Sequence, residues 1–72
     1  MNMPQENPHY PRAPSGEIMR EMITSDTGDA YVITCNERKD RFFLYKVVGE
    51  NGELSKRLAS KKTPVELRTR IL

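Results

Sequence analysis

The sequence predicts an α+β fold, in which a small antiparallel β-sheet of three or four strands (a meander) is packed by one C-terminal α-helix. Residues 30–36 (AYVITCN) and 41–49 (RFFLYKVVG) are dense in β-branched and aromatic side chains, which pack well on a pleated surface. The Asn51-Gly52 pair that follows is a strong hairpin signal. Residues 63–66 (TPVE) then carry the pattern of a helix start. With 72 residues, the chain has room for one such domain.

The first sixteen residues differ in composition from the rest of the chain. They contain four of the five prolines, namely Pro4, Pro8, Pro11 and Pro14. Proline removes a backbone donor and disfavours helix at the residue before it. We therefore predict a disordered, Pro-rich arm at residues 1–16 and a single small domain at residues 17–72. The three-residue spacing of the last three prolines would suit a polyproline II docking segment, but a solvated tail is the simpler interpretation.

Residues 17–23 fit two kinds of secondary structure. Ile18, Met19, Met22 and Ile23 are spaced as an apolar stripe on a short helix. The same residues also fit a first strand of the sheet, and the sequence does not decide between the two. The Asp-, Gly- and Thr-rich residues 24–30 predict a turn after either element.

Two turns set the predicted register of the sheet. A charged loop at residues 37–40 would pair Asn36 with Arg41. A two-residue type I′ turn at Asn51-Gly52 would pair Glu50 with Glu53 and start a third strand at residues 54–60. That register places two glutamates opposite each other, which is unfavourable, and a slightly longer loop would relieve the repulsion and change the faces of the third strand.

The C-terminal helix has a clear predicted start. Thr63 can cap it, Pro64 suits its first position, and Glu66 completes a Thr-x-x-Glu capping box. A helix this short would not persist alone in water, so it must dock apolar side chains on the sheet. The candidates are Val65, Leu67, Ile71 and Leu72.

Because side chains alternate along a strand, the predicted register assigns each one to a face of the sheet. One face carries Tyr31, Ile33, Cys35, Phe42, Leu44, Val48 and Ala59, with Lys46 and Arg57. The other carries Ala30, Val32, Thr34, Phe43, Tyr45, Val47, Leu54 and Leu58, with Lys56. Neither face is mostly polar, so both need cover. The helix can cover one face, while the other requires residues 17–23, a second subunit or a ligand. Since so small a sheet also has open edges, we expect a homodimer.

The residue types present argue against catalysis and metal binding. Cys35 is the only cysteine and His9 the only histidine, so no internal disulfide can form, and these two residues cannot make a four-ligand zinc site by themselves. Cys35 lies among apolar neighbours, where a thiol is usually buried and inert. Asp26 and Asp29 match turn chemistry and no calcium loop. We therefore predict a non-enzymatic protein without metal or cofactor.

The chain has no apolar run of the length of a membrane span and no signal-peptide pattern. Together with one unpaired thiol, this predicts a cytoplasmic protein with no membrane partner.

Charge is distributed unevenly along the chain. Residues 1–50 hold six basic and eight acidic residues, whereas residues 51–72 hold six basic and two acidic residues. The predicted nucleic-acid-binding residues are the six basic ones, which could contact phosphates, and two aromatic ones, which could stack on bases: Lys56, Arg57, Lys61, Lys62, Arg68, Arg70, Phe43 and Tyr45.

The predicted function is accordingly a small binding module that contacts nucleic acid through a basic C-terminal strand and helix. The alternative function is a protein-binding accessory or inhibitor module that uses an apolar sheet face or an open sheet edge. In the simplest interpretation, the basic residues are only a solvated surface and the two aromatic residues belong to the core.

Overall fold

The computed structural model describes residues 11–71, which form one four-stranded antiparallel sheet and one helix. The strands follow each other across the sheet in chain order, so the predicted meander and the α+β class are confirmed. The elements are β1 (Ile18–Thr24), β2 (Ala30–Cys35), β3 (Phe42–Lys46), β4 (Ala59–Lys61) and α1 (Pro64–Ile71). The predictions for Pro4, Pro8, His9 and Leu72 lie outside the described residues.

In the segment that the sequence left open, residues 17–23, all residues from Ile18 onward belong to the edge strand β1. Glu21 pairs with Ile33 and Met22 with Val32 of β2, while the register shifts between Met19 and Glu21. Arg20 is therefore the extra residue of a β-bulge. The extended form prevails because it pairs the backbone of this segment with β2, which a short helix could not do.

The end of the predicted arm contributes to the domain. Glu17 N donates to Pro14 O at 3.0 Å, which closes a turn in which Gly16 has a φ of 84°. Pro11 is buried. Residues 11–16 thus lead into β1 through a defined turn that requires a glycine at its third position.

The β2–β3 hairpin has the predicted register. Cys35 pairs with Phe42, and Asn36 N donates to Arg41 O at 3.1 Å across the four-residue loop. The Asn36 side chain accepts from the backbone N–H of Asp40 at 3.1 Å and donates to the Asp40 side chain at 2.7 Å. The Asn36 amide therefore organises the loop from within.

The β3–β4 connection differs from the predicted type I′ turn. Val48 N donates to Glu53 O at 2.8 Å, and Gly52 N donates to Gly49 O at 3.1 Å. Within the described residues, Gly52 has a positive φ of 84° and Asn51 does not, whereas a type I′ turn needs both. The longer loop joins Val48 to Glu53, so the two glutamates no longer face each other.

The predicted third strand is interrupted as a consequence. Val47 pairs with Leu54 next to the loop, whereas Leu44 pairs with Ala59 in β4. Four residues, 55–58, therefore lie opposite two residues of β3 and bulge out of the ladder. Only Ala59–Lys61 form a regular strand, although their register against β3 is the predicted one.

The apolar side chains form one cluster on each side of the sheet. On the helix face the cluster is formed by Ile33, Leu44 and Leu67, with Ile23, Tyr31, Phe42, Ala59 and Ile71 around them. On the opposite face it is formed by Val32, Phe43 and Tyr45, with Met19, Val47 and Leu54 around them. The expectation that both faces of β3 need cover is therefore confirmed, because three consecutive residues of this strand are buried.

The helix begins at Pro64, as the TPVE pattern predicted. Thr63 Oγ1 donates to Glu66 Oε2 at 3.2 Å, so the two ends of the predicted capping box are in contact. Leu67 and Ile71 lie one turn apart and pack on the sheet. Val65 is 56% exposed, so its predicted docking is wrong. Two residues span about 200° around a helix, which turns Val65 away from the side that Leu67 occupies.

Candidate nucleic-acid interface

Four of the six predicted basic residues lie along the β4 edge and the helix beside it. Lys61 ends β4 opposite Phe42, and Lys62 follows it directly. Lys56 is exposed in the bulged segment before β4, and Arg70 is exposed in the last turn of α1. No ion pair is formed by these four side chains within residues 11–71. This group, Lys56, Lys61, Lys62 and Arg70, is called the basic margin below.

Arg68, by contrast, is engaged within the fold. Its Nε donates to both carboxylate oxygens of Glu21 at 3.0 Å, and its Nη2 donates to Glu21 Oε2 at 2.6 Å. This two-pronged contact ties the helix to the edge strand β1. The hydrogen bonds from Arg68 are the main cause that lowers the pKa of Glu21, and they raise the pKa of Arg68.

A pH-dependent stability follows from this pair. The folded-state pKa of Glu21 lies below its ordinary value of 4.5, so the stabilisation is complete above that value and is lost as the pH falls through the lowered pKa. We expect Glu21→Gln to reduce the loss of stability between about pH 6 and pH 3, measured by urea unfolding at each pH. Glu37→Gln, at an exposed position in the β2–β3 loop, is the control. Equal acid sensitivity of the wild type and Glu21→Gln would contradict the prediction.

Arg57 also differs from the prediction, which placed it on the face of Ile33 and Leu44, the one that the helix covers in the structure. Its guanidinium carbon lies 3.9 Å above the centre of the Phe43 ring and 6.0 Å from that of Tyr45, on the opposite face. Arg57 Nη2 donates to Glu17 Oε2 at 2.9 Å, and Arg57 Nε donates to Tyr45 Oη at 3.2 Å. The bulge at residues 55–58 shifts the alternation of side chains and turns Arg57 over the aromatic rings.

The predicted stacking residues are therefore covered. Phe43 is 8% exposed and Tyr45 is 5% exposed, and the guanidinium of Arg57 occupies the outer surface of Phe43. Lys56, which was predicted to share their face, is exposed in the bulge. In this structure the two rings belong to the core, and they present no flat surface on which a base could stack.

Glu17 is the residue that sequence reasoning missed. Its Oε1 accepts from Thr34 Oγ1 at 2.6 Å and from Tyr45 Oη at 2.9 Å, while its Oε2 accepts from Arg57. Thr34 is fully buried, and the Glu17 side chain is 10% exposed. Burial is the main cause that raises the pKa of Tyr45. Together these four residues, Glu17, Thr34, Tyr45 and Arg57, form the Glu17 cluster, which closes the face opposite the helix.

A weak signal for this cluster was present in the sequence. Glu17 lies two residues before Met19, so it shares a face with Met19 in an extended strand. Thr34 lies among apolar residues and needs a hydrogen-bond partner when buried. The pairing with Arg57 could not be derived, because it depends on the bulge.

The described residues offer little for other chemistry. Cys35 is fully buried, as predicted for an inert thiol. No group of three or more potential metal ligands occurs among residues 11–71. None of the helices described is long and apolar enough to cross a membrane. A shallow, open concavity is lined by residues of mixed charge, namely Gly16, Asn36, Glu37, Arg38 and Asp40.

Comparison with known proteins gives no further guide to the site. No protein-family model, no curated protein and no solved structure matches this chain.

Proposed function

We propose that the protein is a non-enzymatic module that binds nucleic acid through phosphate contacts along the basic margin. The observation that supports this most is the arrangement of the charges. Lys56, Lys61, Lys62 and Arg70 lie on neighbouring elements, and none is engaged by a carboxylate within the described residues. Phosphate contacts of this kind supply most of the non-specific affinity for nucleic acids.

The four predicted binding residues outside the basic margin have structural roles instead. Arg57 and Arg68 each hold a carboxylate of the fold, so their charges are largely compensated. Phe43 and Tyr45 are buried beneath Arg57. Without exposed aromatic platforms, binding should depend on the phosphate backbone and discriminate little between base sequences.

The salt dependence of binding tests the proposal directly. Four phosphate contacts predict a slope of about −3 to −4 for log K against log salt concentration. The affinity for a labelled oligonucleotide, measured by fluorescence anisotropy, should therefore fall by roughly 100-fold between about 50 and 200 mM salt. Single- and double-stranded oligonucleotides of mixed sequence should both bind. An absence of salt-sensitive binding at low salt would refute the proposal.

The double substitution Lys61→Ala/Lys62→Ala localises the interaction. Removing two phosphate contacts should lower the magnitude of the salt slope by about 2 and weaken binding at low salt. The control is Arg38→Ala/Lys46→Ala, which removes the same charge from the β2–β3 loop and from the end of β3 that is distant from Lys61. Equal weakening by both pairs would show that net charge alone matters, and would contradict the assigned surface.

The alternative function, a protein-binding module, has lost one of its two proposed surfaces. The apolar face opposite the helix is closed, since Val32 is fully buried and Phe43 and Tyr45 nearly so. The open edge of β1 remains.

A further inference from the structure

The outer edge of β1 has backbone groups that point away from the sheet. Ser25 N donates to Asp29 O at 2.8 Å, so these two residues form a hydrogen-bonded pair between β1 and β2. Such pairs alternate along an antiparallel ladder, which makes Ile23 and Tyr31 the next one. Thr24 lies between these two pairs and Met22 lies between Ile23 and Glu21, so neither Thr24 nor Met22 belongs to a hydrogen-bonded pair. Their N–H and C=O groups are therefore directed outward, where a further strand can pair with them.

We propose that this edge pairs with the same edge of a second copy of the chain. The two β1 strands would run antiparallel about a two-fold axis perpendicular to the sheet, with Ile23 of each copy opposite Ile23 of the other. Met22 of each copy would then exchange backbone hydrogen bonds with Thr24 of the other. The result is a closed dimer with a continuous eight-stranded sheet, in which both copies use the same surface.

Charge complementarity selects this register. Counted along the two strands, it brings Arg20 of each copy, at the bulge, towards Asp26 of the other, in the turn that follows β1. Both residues are exposed and form no ion pair within residues 11–71. A slip of two residues in one direction would put Met22 opposite Met22 and leave Arg20 beside Thr24. A slip of four in that direction would place Glu21 opposite Glu21, which is repulsive. The symmetric register about Ile23 therefore pairs opposite charges and avoids like ones.

The side chains at this edge suit such a contact. Of the strands described, only β1 has two large exposed hydrophobic residues: Met22, 43% exposed in the regular part of the edge, and Ile18, 38% exposed beyond the bulge. Ile23 belongs to the cluster on the helix face. Pairing through Ile23 would therefore join the helix-face clusters of the two copies across the axis. The regular part of the edge is short, because the bulge at Arg20 ends it, so a weak dimer is expected.

The other edge of the sheet is unsuitable for the same role. β4 has only three residues, and it ends in Lys61, followed by Lys62. Pairing two such edges would bring like charges together, which is a known way of protecting a sheet edge. Dimerisation through β1 would leave both basic margins at the outer edges of the joined sheet.

Sedimentation equilibrium on the full chain over a range of concentrations tests the proposal. The wild type should show a concentration-dependent monomer–dimer equilibrium. Met22→Pro removes an outward N–H that the ladder with β2 does not use, so the monomer should fold while the dimer is lost. Circular dichroism reports on folding of the variant. A wild type that remains monomeric at about 1 mM, where even a dimer with a Kd of about 1 mM would contain about half of the protomers, would overturn the proposal.

A charge exchange tests the register without altering the backbone. Arg20→Asp and Asp26→Arg should each weaken dimerisation about fivefold or more, because each creates two like-charge contacts across the axis. The double variant Arg20→Asp/Asp26→Arg should recover most of the wild-type affinity. Lys62→Asp makes the same change in charge at the opposite edge and should leave dimerisation unchanged.

The charge exchange can also fail in informative ways. A double variant as weak as the two single variants would overturn the proposed register. A dimer that persists in Met22→Pro, or one that only Lys62→Asp disrupts, would overturn the β1 interface altogether. These outcomes are independent of the oligonucleotide measurements, since the proposed phosphate contacts lie on the other edge of the sheet.

Discussion

Leu67→Ala is expected to lower the free energy of unfolding by about 3 kcal/mol. Leu67 is fully buried between α1 and the sheet, and it packs with Ile33 and Leu44. Its truncation removes apolar contacts and leaves a cavity that a short helix can fill only partly. A domain of this size has a total stability of roughly 4–10 kcal/mol, so the loss would be a large part of it.

Urea unfolding followed by circular dichroism measures this effect as a shift in the midpoint at an unchanged slope. Val65→Ala is the matched control, because it lies two residues earlier in the same helix and is 56% exposed. Alanine has the higher helix propensity, so the control should change stability by no more than about 0.5 kcal/mol. Similar losses in the two variants would mean that α1 does not dock through Leu67.

The parts of the fold that could be predicted from the sequence are those set by local interactions. The Thr63–Pro64 start of α1 depends on the orphan donors of the first helical turn, which neighbouring residues satisfy. The β2–β3 register depends on a short loop that Asn36 closes with its own side chain. In both cases the deciding groups lie within five residues of each other along the chain.

The failures arise in the β3–β4 connection, where two signals from neighbouring residues conflict. The Asn51-Gly52 signal is strong in isolation, but the observed loop is longer and avoids the opposition of Glu50 and Glu53 that a type I′ turn would create. The two extra residues are then absorbed at residues 55–58. That bulge moves Arg57 to the face opposite the helix. In a regular strand, side chains alternate strictly between the two faces, so this position could not be predicted.

The candidate site changed for the same reason. Because Arg57 lies over Phe43, a residue pair predicted to bind bases is part of the core. The basic margin, in contrast, needs only exposed side chains on adjacent elements, and the sequence indicated those through the charge asymmetry of residues 51–72. The sequence did not decide between strand and helix for residues 17–23, because apolar residues at these spacings fit both the two-residue period of a strand and the 3.6-residue period of a helix.

Glu17→Ala is expected to destabilise the fold by about 2–3 kcal/mol, although Glu17 belongs to no regular element. The substitution removes the acceptor of the Thr34 hydroxyl, which is fully buried and donates to no other group among the described residues. Tyr45 loses the same acceptor but keeps its contact with Arg57. Leaving a buried donor unsatisfied costs more than the hydrogen bond itself contributes.

A double-mutant cycle with Thr34→Val distinguishes this cause from a simple loss of packing. In the wild type, Thr34→Val removes a satisfied hydroxyl and leaves Glu17 with its other two donors, so it should destabilise the fold. In the Glu17→Ala background, the same change removes the orphaned hydroxyl and should be neutral or stabilising. The coupling free energy from urea unfolding should therefore exceed about 1 kcal/mol. Additive effects would show that Glu17 does not stabilise the fold through the buried threonine. Its contribution would then come from its hydrogen bonds with Tyr45 and Arg57.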